Sequence, residues 1–131
     1  MVIRMVLGLL GVMWAGYGAW CFADPALLRD AAGVASLNAT GRVDLRATYG
    51  GLQIAVGVLL VAGALRAAMT RQVLLMYGVL CAGISLARLL GALLESEWSG
   101  YTVFALCFEL GSALAVVVLL KQAGLAPSTS E

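Results

Sequence analysis

The apolar positions of this chain do not alternate with polar ones and do not keep to one helix face; they come in long unbroken runs. A bilayer core about 30 Å thick needs roughly 20 mostly apolar residues of helix to cross it. Four runs of that kind stand between charges and turn formers, at 6–22, 45–65, 73–94 and 101–120. The first follows Arg4 as a signal peptide would, but it continues through Trp14 and Trp20 to Asp24-Pro25 without a well-placed small-residue cleavage site. It therefore reads as a span. The segment 22–44 is long for a connection in so small a protein. Asp24 is a good N-cap and Pro25 suits a first helical position, so 25–32 should form a short interfacial helix that ends at Gly33, with Leu27 and Leu28 turned to lipid or protein. Asn38-Ala39-Thr40 has the form of a glycosylation sequon and is read as a chance match. Residues 126–131 read as a disordered tail. The expectation is all-α: an integral membrane four-helix bundle, one transmembrane domain over 1–125, with a short interfacial helix between the first and second spans.

Composition agrees with a lipid solvent: 63% of residues are hydrophobic, 11% are charged and the mean hydropathy is +1.01. A net charge of +1 with no Lys/Arg cluster leaves no field suited to nucleic acid. The chain has no His, the usual general base and metal ligand. Cys21, Cys81 and Cys107 lie on separate runs without a C-x-x-C and read as small apolar fillers. No catalytic residue, metal site or cofactor is signalled, and an enzyme is not the favoured reading. An even number of spans places both termini on one side with the connection 66–72. Arg4, Arg66, Arg71 and Lys121 fall there, against Arg29, Arg42 and Arg46 on the other side, which points to cytoplasmic termini.

Charge matters here by position. Arg88 lies about 7 Å from the middle of the third run and Glu109 about 2 Å from the middle of the fourth, at 1.5 Å per residue. Facing lipid, each would cost roughly 2.5 to 3.5 kcal/mol, so each must face the bundle interior or a wet cavity, and they are natural partners for an intramembrane salt bridge. In the second run Arg46, Tyr49 or Gly50, Gln53 and Gly57 share a face by helical spacing. Tyr77, Cys81, Ser85 and Arg88 form a stripe on the third run, and Thr102, Glu109 and Ser112 on the fourth. These stripes are expected to converge in an outer-facing pocket, with Arg46, Tyr49, Gln53, Arg88 and Glu109 as ligand-binding residues. Tyr17, Gly50, Ser85 and Ser112 are the candidate lining. The alternative is that Arg88 and Glu109 only fix helix register, with Gln53 and Ser112 completing the hydrogen bonds. On the first run Gly8, Gly11, Ala15 and Gly18 make a small-residue stripe suited to close helix contact, with Trp14, Tyr17 and Cys21 beside it.

Asp24-Pro25, Leu45-Arg46-Ala47-Thr48-Tyr49-Gly50-Gly51, Ala87-Arg88-Leu89-Leu90 and Phe108-Glu109-Leu110 together resemble a bacterial membrane family, domain of unknown function 4345. The resemblance covers about 7–120. It implies four helices, with an Arg-Ala-x-Tyr-Gly-Gly segment opening the second, an arginine late in the third and a glutamate in the fourth. Ala87 and Glu95 stand where that pattern commonly has Gly and Asp. The fold also looks similar to the small four-helix membrane proteins typified by DoxX, a likeness of architecture that carries no reaction. It implies the bacterial cytoplasmic (inner) membrane.

Three roles follow as expectations. One is a binding or accessory protein whose arginines fork onto a small anionic, lipid-like or quinone-like ligand entering from the outer leaflet. Another is a proton-coupled small transporter or membrane enzyme using Glu109. The last is a structural subunit of a larger membrane complex, docked through the small-residue stripe of the first span. Membrane lipid is the expected surrounding in each case, and a homo-oligomer is compatible with all three.

Overall fold

The computed structural model describes residues 2–122 and 124, so the tail at 126–131 lies outside the described residues. The described chain is helical, without strands, and forms two compact units divided at Ala67 and Ala68. Four helices are long and apolar enough to cross a membrane: Val2–Ala23, Ala39–Leu65, Ala67–Glu95 and Gly100–Lys121. All four expected spans are present, each beginning earlier than its apolar run, because a helix continues through polar residues until a cap or turn stops it.

The first unit is an antiparallel hairpin of α1 (Val2–Ala23) and a second span built from α3 (Ala39–Leu45), a π-helical turn (Arg46–Gly51) and α4 (Leu52–Leu65). Between its two long helices runs α2 (Ala26–Ala32). As expected, α2 opens at Asp24-Pro25, where the Asp24 carboxylate accepts from the Ala26 N–H at 3.0 Å, and ends at Gly33 in the left-handed region (φ 69°). Leu28 is buried and Leu27 half-buried. Sequence reasoning missed the start of α3. Asn38, read as part of a chance sequon, is its N-cap: the side-chain oxygen accepts from the Gly41 N–H at 2.9 Å.

Small residues bring α1 against the second span. A Cβ added at Gly57 would stand 2.6 Å from the Gly11 carbonyl oxygen and 2.6 Å from the Ala15 nitrogen; one at Gly18 would stand 2.7 Å from the Ile54 nitrogen. Both clashes are with backbone, which cannot step aside. Gly8 faces Ala64 on the same seam. The stripe Gly8, Gly11, Ala15 and Gly18 is thus consumed inside the hairpin, which corrects the idea of it as a docking face for a partner. Trp14 and Cys21 are buried and Tyr17 is exposed.

Each helix of this hairpin also caps the other. Arg4, one turn into α1, donates through Nε to the Ala64 carbonyl at 2.5 Å and through Nη2 to the Leu65 carbonyl at 2.9 Å. At the opposite end Arg46 donates through Nε to the Phe22 carbonyl at 2.9 Å. The last carbonyls of a helix have no intrahelical donor and carry partial negative charge, so a guanidinium there is favourable twice over.

The second unit is a hairpin of α5 (Thr70–Glu95) and α6 (Gly100–Gln122), with a 3-10 turn, Ala67–Met69, leading into α5. Ser96 (φ 52°) ends α5, and Ser99 opens α6 by accepting from the Thr102 N–H at 3.2 Å. The buried positions of α5 are Thr70, Val73, Leu74, Tyr77, Cys81, Ser85 and Ala92, a single stripe at helical spacing. On α6 the buried positions are Glu109, Val116 and Leu120, with Ser112 half-buried between them. Outside these seams the helices expose Leu, Val, Phe and Met, as lipid-facing surfaces do.

Candidate functional site

The centre of the second hairpin is an ion pair. Arg88 donates from Nε to Oε2 of Glu109 at 2.9 Å and from Nη2 to Oε1 at 2.6 Å, a two-pronged match of guanidinium and carboxylate. Helix geometry puts the two level. Arg88 stands seven residues before Glu95, about 10 Å from the end of α5, and Glu109 nine residues after Gly100, about 13 Å into α6. The expected pairing is therefore realised.

The partners are not equally enclosed: 25% of the Arg88 side chain is accessible, against 9% for Glu109. The carboxylate is the inner partner and the guanidinium the outer one. Tyr101, at the start of α6, places its ring centroid 5.8 Å from the Arg88 guanidinium carbon, near enough for a cation–π contact. Sequence reasoning missed Tyr101. Nothing in its spacing marks it, since the contact depends on how α6 packs beside α5.

The remaining polar residues of this hairpin divide by role. Tyr77 donates to the Ser112 hydroxyl at 3.3 Å, tying the two helices together away from the ion pair. Ser85 is buried as expected, but its hydroxyl donates to the Ala82 carbonyl of its own helix at 3.0 Å. Thr102, expected on the stripe with Glu109, instead has its hydroxyl 3.0 Å from that of Ser99 at the start of α6. Cys81 is fully buried on the stripe, whereas Cys107 is exposed and is not a core filler.

The first hairpin carries a second polar centre. Arg46, Gly50, Gln53 and Gly57 do share a face, and that face meets α1: Arg46 bonds Phe22, a Cβ on Gly50 would stand 2.7 Å from the Phe22 Cβ, and the Gln53 Cβ lies against Gly18. Gly50 is a close-approach point rather than open lining. Tyr49 is half-buried, and the Gln53 Oε1 is buried without a donor among the described residues. The segment Arg46–Gly51 is π-helical, with the Leu52 N–H reaching back to the Ala47 carbonyl, five residues away. Such turns hold one extra residue, rotate the helix on either side and often mark functional positions. Here the turn coincides with Arg-Ala-Thr-Tyr-Gly-Gly, and no propensity in those letters announces it.

Four apolar spanning helices with a buried, hydrogen-bonded ion pair between two of them define a multi-pass helical membrane protein with an internal polar centre. No group of metal-ligating side chains occurs among the described residues. The chain belongs to the family described as domain of unknown function DUF4345, which matches it over residues 2–120. Comparison with curated proteins and with solved structures gives no match.

Proposed function

We propose that this protein is a membrane-embedded binding or accessory protein that takes up a small lipid-like ligand through an oxygen bound by Arg88. The observation that carries this is the unequal enclosure of the ion pair, with the guanidinium 25% accessible and the carboxylate held behind it. A charge in the membrane interior is costly, and one left partly reachable is a functional candidate. Arg suits the task because its planar fork donates to two oxygens at once, and the Tyr101 ring lies within cation–π range of it. On the first hairpin, Arg46 and, two turns along the same face, Gln53 with its donor-less Oε1 form a further candidate. In a bacterial cytoplasmic membrane with cytoplasmic termini, Arg88 would lie in the outer half of the bilayer.

The test is to purify the protein in lipid nanodiscs and identify bound molecules by native mass spectrometry, beside the Arg88→Lys variant, which keeps charge and loses the fork. A molecule enriched over bulk lipid in the wild type and lost in the variant is the expected result. No enrichment over bulk lipid would remove the reading.

A further inference from the structure

We propose that the end of the first hairpin bearing Arg4 and Arg66 binds the phosphate of an anionic phospholipid, where headgroups meet acyl chains. The inference does not depend on the Arg88 centre. It rests on how this hairpin sorts its charges and on the apolar surface beside them.

The hairpin unit, Met1–Ala67, has three acids: Asp24, Asp30 and Asp44. All lie within 24–44, at the end that also has Arg29, Arg42 and Arg46. The other end, where α1 starts and α4 stops, has Arg4 and Arg66 and no acid of this unit. Arg4 is 20 residues of helix from Asp24, about 30 Å. Both arginines are exposed, and neither forms an ion pair among the described residues.

Local structure brings these two cations together. Arg4 is bonded to the Ala64 and Leu65 carbonyls, and the Leu65 carbonyl carbon is joined to the Arg66 nitrogen. By the dimensions of the peptide unit, the Arg4 Nη2 lies within about 6 Å of the Arg66 Cα. The Arg66 side chain, which has no hydrogen bond among the described residues, is long enough to meet Arg4 on one phosphate. The two bonds of Arg4 use only part of its five N–H donors, and they offset the partial negative charge that the end of α4 would turn against an anion. The α1 dipole presents its positive end on the same side, with no acid in the first turn to neutralise it. Guanidinium forks match phosphate oxygens in geometry and charge.

The surroundings select an anion with an apolar tail. Met5 and Leu9 on α1, and Val58 and Leu65 on α4, are exposed apolar residues that lead from the arginines along the span. A soluble anion would leave that surface unused. A phospholipid lays its acyl chains along it while its phosphate meets Arg4 and Arg66, the arrangement expected of basic residues at the edge of a bilayer.

The test is thermophoresis of the full chain in detergent micelles, titrated separately with dihexanoyl phosphatidylglycerol, dihexanoyl phosphatidylcholine and inorganic phosphate at matched ionic strength. An arginine near an anionic lipid is worth roughly fivefold in affinity, so phosphatidylglycerol should bind at least about fivefold tighter than either other probe. Arg66→Gln breaks no bond and should raise the Kd for phosphatidylglycerol about fivefold, leaving that for phosphatidylcholine unchanged. Arg4→Gln/Arg66→Gln should raise it further. Arg42→Gln, which removes an exposed arginine from the acid-bearing end, should bind as the wild type does. Equal affinity of the wild type for the two lipids, or an Arg66→Gln variant no weaker than Arg42→Gln, would overturn the proposal. Inorganic phosphate binding as tightly as phosphatidylglycerol would overturn it too, by making the free anion the ligand.

Discussion

Removing one member of the Arg88–Glu109 pair should do more damage than removing both. Two charge-assisted hydrogen bonds, at 2.9 and 2.6 Å, join side chains that are 25% and 9% accessible. Glu109→Leu strands a guanidinium on the seam and Arg88→Met strands an enclosed carboxylate; breaking such a pair costs about 3 to 5 kcal/mol. Because Arg88 is partly accessible, Glu109→Leu should fall at the lower end, about 3 kcal/mol, and Arg88→Met nearer the upper. The double variant buries only apolar atoms, and replacing a buried pair in that way is often neutral or stabilising by roughly 1 to 4 kcal/mol. The assay is a double-mutant cycle on unfolding of the reconstituted protein, followed by helix content as a denaturing detergent is added. The reasoning predicts a coupling energy above about 2 kcal/mol. Single effects that simply add would show that the pair carries no mutual stabilisation and that the two charges are separately solvated.

The α1 seam gives a sharper contrast. Gly18→Ala and Gly57→Ala place a Cβ within 2.6 to 2.7 Å of backbone atoms and should each cost about 1 to 3 kcal/mol, whereas Gly16→Ala, with nothing within 4 Å, should be neutral or stabilising by up to about 1 kcal/mol, all read in the same unfolding assay. Arg4→Ala removes two bonds to the Ala64 and Leu65 carbonyls; because Arg4 is exposed the loss should be about 1 kcal/mol, with faster hydrogen exchange confined to the last turn of α4. Deleting Thr48 should convert Arg46–Gly51 to regular α-helix and detach Arg46 from Phe22. Electron paramagnetic resonance distances between spin labels on α3 and α1 should change, while those between α4 and α1 stay fixed.

The spans, the short helix after Asp24-Pro25 and the partnership of Arg88 with Glu109 were legible in the sequence. All three follow from the solvent: lipid demands long apolar helices, and it forbids two interior charges from standing apart. Helical spacing also revealed the α5 stripe and the close-packing face of α1, since both depend only on position along one helix. What the letters could not supply were contacts between helices and departures from ideal helix. Tyr101 reaches Arg88 because of the way α6 lies beside α5, and Arg46 finds its acceptor on Phe22, a carbonyl that no side-chain pattern displays. The π-helical turn inserts a residue that periodicity assumes absent, and Asn38 caps a helix that begins six residues before its apolar run. Composition and period therefore determined that this chain crosses a membrane and which charges must be paired. Only packing decided which acceptor each guanidinium meets, because that depends on distances of a few ångströms between backbones far apart in sequence.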